Sequence, residues 1–89
     1  MRIQQKSAKL SKQAEKYIKK LDKPTKIRLV EAIRKIPEGS IKPLENSNGY
    51  YRLKISDYRI IFRWENNEQI IVAKVGSRGD IYKGVQSWN

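Results

Sequence analysis

The chain has 89 residues, with 20 Lys and Arg against 9 Asp and Glu, so its formal net charge is +11. Cysteine and histidine are both absent, which excludes disulfides and thiolate metal sites and removes the usual acid–base side chain of neutral pH. Repulsion between so many positive charges destabilises a small compact domain, so we expect a polyanionic partner. Nucleic acid is the first expectation, before an anionic membrane or an acidic protein.

The length and the 38% hydrophobic content predict a single domain over residues 1–89 with one modest core. No apolar run approaches the roughly 18 residues of a membrane span. Met1 and Arg2 lead into polar Gln4 rather than into the apolar core of a signal peptide. We therefore expect a soluble cytoplasmic protein with no membrane partner, no bound metal and no cofactor.

The first half of the chain predicts a strand and two helices. Residues 1–5 are expected to form a short edge strand. A helix over residues 7–21, with Ser7 as its N-cap, is indicated by one apolar stripe, which comprises Leu10, Ala14, Tyr17, Ile18 and Leu21. Asp22 and Pro24 suit the start of a second helix. It is expected to run to about residue 36 with apolar positions three apart, at Ile27, Val30, Ile33 and Ile36.

The second half predicts a sheet. Residues 40–49 are expected to form a loop, and from Tyr50 the apolar period becomes two. Strands are predicted over residues 50–55 and 58–64, and a third over residues 69–76, apolar on both faces and therefore central. The fold class is α+β, with an N-terminal strand and a two-helix hairpin packed on a three- to four-stranded, mainly antiparallel sheet.

The strand register follows from the hydrophobic pattern. If residues 56 and 57 form a two-residue loop, Lys54 faces Arg59, and a slip by one residue would move Lys54 into the core. If residues 66 and 67 form the next loop, Arg59 faces Lys74. Basic residues of the three adjacent strands then converge on one face: Arg52, Lys54, Arg59, Lys74 and Arg78. The opposite, helix-covered face would hold Tyr51, Leu53, Ile55, Ile60, Phe62, Ile71 and Val75.

Like charges that face each other across strands destabilise a sheet by some tenths of a kcal/mol to about 1 kcal/mol per pair. No acidic residue lies within the predicted row of Lys54, Arg59 and Lys74. The row therefore predicts a phosphate-binding site. The alternative is an ordinary solvated face of the sheet.

Two segments carry a resemblance to a known family. Residues 49–62 read GYYRLKISDYRIIF and residues 75–82 read VGSRGDIY. They resemble the signature of the RelE/ParE toxin superfamily, in which a "YRLRxGDYRIIY"-type hairpin is followed by a strand that ends in "VGxRxxxY". The resemblance covers nearly the whole chain. It implies a RelE-like fold and, for the RelE branch, a toxin that cuts mRNA in the ribosomal A site without a metal.

The resemblance also implies site residues. The family's catalytic basic residues and tail tyrosine correspond to Arg52, Lys54, Arg59, Arg78 and Tyr82. The nucleic-acid-binding set expected here is Arg52, Lys54, Arg59, Arg63, Lys74 and Arg78. This chain departs from the pattern twice. Arg52 stands where relatives often carry Lys, and Ser77 stands where relatives often carry His, which removes two candidates for proton transfer.

Other functions remain open from the sequence. The ParE branch of the superfamily inhibits DNA gyrase without cutting RNA, and a third class is an RNA-binding module without chemistry. For a toxin, the resemblance implies a cognate antitoxin that is acidic and partly helical. It implies mRNA and the ribosome as further partners, and operator DNA as a ligand of the toxin–antitoxin complex.

Overall fold

The computed structural model describes residues 7–45, 47–79 and 81. In this part of the chain the elements are β1 (Ser7–Leu10), α1 (Lys12–Lys19), α2 (Lys23–Arg34), β2 (Ser40–Pro43), β3 (Tyr50–Ile55), β4 (Tyr58–Asn66) and β5 (Gln69–Ser77). Neither helix is long and apolar enough to span a membrane.

The described strands form one sheet in the order β1-β5-β4-β3-β2. β1 pairs with β5 in parallel, and every other neighbouring pair is antiparallel. The predicted α+β class and mainly antiparallel sheet are confirmed, and β5 is an interior strand as expected. The sheet has five strands because residues 40–43, which were predicted to be loop, add a strand at its edge.

The helices cover one face of the sheet and form the core with it. The buried apolar residues of this core are Ala14, Ile18, Leu29, Ile33, Ile36, Leu53, Ile60, Phe62, Ile70, Val72 and Val75. The stripe predicted for the first helix is confirmed from Ala14 to Leu21, but its first member, Leu10, lies in β1 and is exposed. The stripe predicted for α2 is wrong in its first half, since Ile27 is 51% and Val30 39% exposed, and correct at Ile33 and Ile36. Apolar positions three apart drift by about 60° per step, so Ile27 lies about half a turn away from Ile36.

The first helix starts later than predicted. Its N-cap is Ser11, whose Oγ accepts a hydrogen bond from the backbone N–H of Ala14 at 3.1 Å, and not Ser7. Residues 7–10 form β1 instead of the first helical turn, because parallel pairing with β5 satisfies their backbone. The edge strand predicted for residues 1–5 lies outside the described residues.

Two side chains at the start of α1 continue the edge of β5 beyond the end of β1. The Oγ of Ser11 donates to the carbonyl of Ala73 at 2.7 Å. The amide of Gln13 donates to the carbonyl of Val75 at 3.0 Å and accepts from its N–H at 3.1 Å. Gln13 thus replaces a strand residue, and the sheet edge is satisfied where no strand covers it.

The register between β3 and β4 is the predicted one. Lys54 faces Arg59 and Leu53 faces Ile60. The two-residue loop places Ser56 in the left-handed region, at φ 53°.

The register predicted between β4 and β5 is wrong. The loop is residues 67 and 68, because Asn66 pairs with Gln69. Register shifts between Trp64 and Asn66 and between Ile61 and Phe62 leave one extra residue in each strand, Glu65 in β4 and Ala73 in β5.

The two shifts change which β5 residues enter the core. Arg59 faces Gly76 rather than Lys74, and Lys74 faces Ile61. Between the shifts the alternation is reversed. Ile71, which was predicted to be buried against the helices, therefore faces Arg63 on the opposite side, and Ile70 and Val72 occupy the core in its place.

Candidate functional site

The side of the sheet that faces away from the helices carries a group of basic side chains, which we name the basic face: Lys42, Arg52, Lys54, Arg59, Arg63 and Lys74. Cross-strand pairing arranges them in adjacent rows. One row runs from Lys42 through Arg52 and Ile61 to Lys74, and the next contains Lys54 and Arg59. The convergence predicted from the sequence is confirmed for Arg52, Lys54, Arg59 and Lys74, although Lys74 is displaced by one row from Arg59. Lys42 was not predicted, because its segment was expected to be a loop.

Arg59 is the most enclosed member of the basic face, at 7% exposed. Its Nη1 donates to the carbonyl of Ser56 at 3.2 Å and to the carbonyl of Tyr58 at 3.0 Å, which fixes the guanidinium against the β3–β4 turn. Its Nε is buried and has no hydrogen-bond partner within the described part of the protein. Burying a cation without a counter-ion is costly, so this arrangement is typical of a site that receives an anion.

Arg52 shows the same feature in a more open position. It is half-buried, and its Nε is buried without an acceptor among the described residues. A shallow cleft of about 350 Å³ lies beside it, lined by Lys42, Pro43, Leu44, Glu45 and Arg52. A guanidinium is a planar donor that can bind two oxygens of one phosphate.

The remaining basic residues differ in how free they are to bind a ligand. Lys54 is exposed and Lys74 is half-buried. Arg63 forms an ion pair with Glu65, whose Oε1 lies 3.6 Å from Nη1 of the arginine. Glu65, the extra residue of β4, thus partly neutralises this end of the face.

The segment after β5 returns over the basic face. The backbone N–H of Arg78 donates to the carbonyl of Asp57 at 2.6 Å, which holds this segment at the β3–β4 turn. The Arg78 side chain is exposed. Tyr82, the predicted tail residue of the site, lies outside the described residues.

Ile81 and Gly76 form a contact that the sequence reasoning missed. Ile81 is fully buried. A Cβ added to Gly76 would lie 3.2 Å from Cδ1 of Ile81 and 3.5 Å from Cα of Ile81. Gly76 stands in register with Arg59, and Ile61, on the same side of the sheet, is also fully buried. The signal was a glycine inside a strand, which often marks a close approach of another chain segment.

Among the described residues, no group of three or more Asp and Glu side chains lies together as metal ligands would. The chemistry that this face offers is electrostatic. It presents cationic donors to an anion, and two of them have an Nε without an acceptor among the described residues.

A match to a family model identifies the protein family of this chain. The model for the ParE toxin of type II toxin–antitoxin systems (parDE) matches residues 8–82. The chain belongs to this family. It is therefore a type II toxin of the RelE/ParE superfamily, as the two sequence segments indicated.

Solved structures of RelE toxins share the fold. The archaeal RelE–RelB complex from Pyrococcus horikoshii OT3 is 24% identical with a TM-score of 0.68, over 86% of this chain and 99% of that one. The RelB–RelE antitoxin–toxin complex from Methanococcus jannaschii is 23% identical with a TM-score of 0.67, over 83% and 94%. The RelBE2 complex from Mycobacterium tuberculosis is 19% identical with a TM-score of 0.68, over 83% and 99%. The toxin fold is thus RelE-like. A comparison with curated protein sequences gives no match.

Proposed function

We propose that this toxin is a metal-independent endoribonuclease that cleaves mRNA, in the cytoplasm and in the ribosomal A site. The observation that carries the proposal is the pair of arginines on the basic face, Arg52 and Arg59, whose buried Nε atoms have no acceptor within the described residues. Lys54 stands directly opposite Arg59 and is exposed. A phosphodiester is an anion that fits three such donors.

The reaction needs no group that the chain lacks. The 2′-hydroxyl oxygen of the RNA attacks the adjacent phosphorus, the bond from phosphorus to the 5′-oxygen breaks, and a 2′,3′-cyclic phosphate remains. The 2′-hydroxyl proton leaves to a base, and the 5′-oxygen takes up a proton. The phosphorane formed on the way carries more negative charge than the diester, so fixed cations stabilise it selectively.

Each site residue has a role in this proposal. Arg52 and Arg59 bind the scissile phosphate, and Lys54 stabilises the developing charge or helps to deprotonate the 2′-hydroxyl. Arg78, held near the β3–β4 turn by its backbone, assists the departing 5′-oxygen. Tyr82 stacks on a base or takes part in proton transfer. Arg63 and Lys74 bind the backbone on either side of the cleaved bond.

The test is to incubate the toxin with translating ribosomes and to map new mRNA ends. Arg52→Gln and Lys54→Gln are the informative variants, and Arg28→Gln, on the exposed surface of α2, is the matched control. Losing one donor to the developing charge is expected to slow cleavage by about 100-fold or more. Arg59→Gln is less informative because it also removes two hydrogen bonds of the turn. If ribosome binding persists while cutting is lost, a binding module without chemistry is excluded.

A second candidate, inhibition of DNA gyrase, is favoured by one observation. The family model that matches the chain is described as the ParE toxin. DNA breaks or lost supercoiling in a gyrase assay, together with no new mRNA ends, would contradict the ribonuclease proposal and establish the alternative.

We also propose a cognate antitoxin as partner. The similar structures from Methanococcus and Pyrococcus are toxin–antitoxin complexes, and a net charge of +11 suits an acidic, partly helical partner. The complex of the two is expected to bind operator DNA. Co-expression with an acidic protein encoded beside the toxin, followed by co-purification and a growth assay, tests this partnership.

A further inference from the structure

A second group of positive charges lies on the helices rather than on the sheet. Its members, which we name the lysine ridge, are Lys12, Lys16, Lys19 and Lys20, and all four are exposed. At 3.6 residues per turn they fall within an arc of about 100° on α1 and its C-cap. The buried residues of this helix, Ala14 and Ile18, lie on the opposite side. The ridge therefore faces solvent along the whole helix.

Helix electrostatics explains only part of the ridge. Lys16 and Lys19 lie in the last turn, where a cation interacts favourably with the helix dipole. Lys12 is the first residue of the helix, where the dipole disfavours a cation. Lys12 and Lys16 also repel each other as a like-charge pair four residues apart, which costs about 0.2–0.5 kcal/mol. None of the ridge lysines forms an ion pair within the described residues.

The ridge and the basic face lie on opposite sides of the molecule. α1 packs on the helix side of the sheet through Ala14 and Ile18, which share the core with Val75. Lys74, the neighbour of Val75 in the chain, belongs to the basic face on the other side. A helix and the sheet thus separate the two surfaces, and one short nucleotide segment cannot bind both.

We propose that the lysine ridge binds the phosphate backbone of a second RNA segment, distinct from the strand that is cut. The choice of RNA rests on the proposed ribonuclease function, because an mRNA that is being translated is bound within the ribosome, which contains further RNA. Four mobile ammonium groups suit an irregular row of phosphates, because each acts as a point charge with a flexible stem.

A protein or a membrane fits the ridge less well. Protein interfaces centre on apolar or aromatic anchors and are depleted in lysine. In the part of the chain that the structure describes, the exposed large apolar side chains lie elsewhere, on β1 and α2, at Leu10, Ile27 and Val30. An amphipathic helix enters a membrane surface with its apolar face. In α1 that face is not available, because Ala14 is fully buried in the core.

The test compares two double variants that remove the same charge. Lys12→Gln with Lys16→Gln alters the ridge, and Arg28→Gln with Lys35→Gln alters exposed positions of α2 and its C-cap. The probe is an RNA hairpin with 2′-O-methyl groups, which the proposed reaction cannot cleave. Binding is measured over a range of salt concentrations, with unfolding measured for each variant.

The ridge variant is expected to lose about tenfold in affinity, and its slope of log affinity against log salt should fall by about 1.4–1.8, as for two lost phosphate contacts. The α2 variant should change by less than about twofold. Equal losses in both variants would overturn the proposal, because net charge alone would then explain binding. Unchanged hairpin binding with lost binding to polyglutamate would also overturn it and assign the ridge to an acidic protein. The readout is binding without cleavage, so failure of the ribonuclease proposal appears separately in the mapping of mRNA ends.

Discussion

Replacing Gln13 by alanine removes the two hydrogen bonds that its amide makes with the backbone of Val75, at 3.0 and 3.1 Å. A typical hydrogen bond contributes about 0.5–1.5 kcal/mol net, so the pair contributes about 1–3 kcal/mol. Gln13 lies at an exposed position, where water replaces part of the loss. We therefore expect a loss of about 1–2 kcal/mol in the free energy of unfolding.

In a domain of this size, 1 kcal/mol shifts the melting temperature by about 4–8 °C. Gln13→Ala should therefore melt roughly 5–15 °C below the parent in a thermal scan followed by circular dichroism. Gln13→Glu should lose at least as much, because the new oxygen faces the Val75 carbonyl. Lys16→Ala, an exposed position of the same helix, is the matched control and should stay within about 0.5 kcal/mol. A Gln13→Ala protein as stable as this control would refute the view that the side chain completes the edge of β5.

Three further outcomes are expected. In Gly76→Val the new side chain displaces Ile81, whose Cδ1 would lie 3.2 Å from an added Cβ. The rate of mRNA cleavage should then fall by up to about 100-fold if the displacement approaches 1 Å. An unchanged rate would show that this contact does not affect the activity. Arg63→Gln breaks a half-exposed ion pair and should change the free energy of unfolding by less than about 1 kcal/mol. It should also lower the slope of log RNA affinity against log salt by about 0.7–0.9. An unchanged slope would show that Arg63 does not contact the RNA backbone. The nearby Thr25 hydroxyl lowers the pKa of Asp22 below its ordinary value of 3.8. The stability that this carboxylate contributes is therefore present above that value and is lost as the pH falls through the folded pKa. If acid unfolding curves of the parent and of Asp22→Asn coincide, this expectation is wrong.

The hairpin of β3 and β4 was predictable because both strands alternate, with Ile61 as the main exception, and a two-residue loop joins them. The pairing of Lys54 with Arg59 follows from those two features alone. The next hairpin was not predictable, because an extra residue such as Glu65 or Ala73 leaves no mark in a hydrophobic pattern. The start of α1 was misplaced because Leu10 fits the helical stripe and the strand alternation equally well.

The positive charge of the basic face was predictable from the sequence, but the burial of Arg59 within it was not. Strand parity alone brings Arg52, Lys54 and Arg59 to one face. The burial of Arg59 depends on tertiary packing. It lies in register with Gly76, on which Ile81 packs, and nothing local in the sequence around Arg59 reports that contact.

The parallel pairing of β1 with β5 has a consequence for how the toxin is made. Ser7 pairs with Gln69, so the first described strand finds its partner only after most of the chain has been synthesised. Until β5 leaves the ribosome, α1 lacks its main packing partner, and Lys74 is missing from the basic face. Such long-range pairing also makes folding slow relative to helical proteins of this length. A chain that ends before β5 therefore lacks both the main packing partner of α1 and part of the basic face.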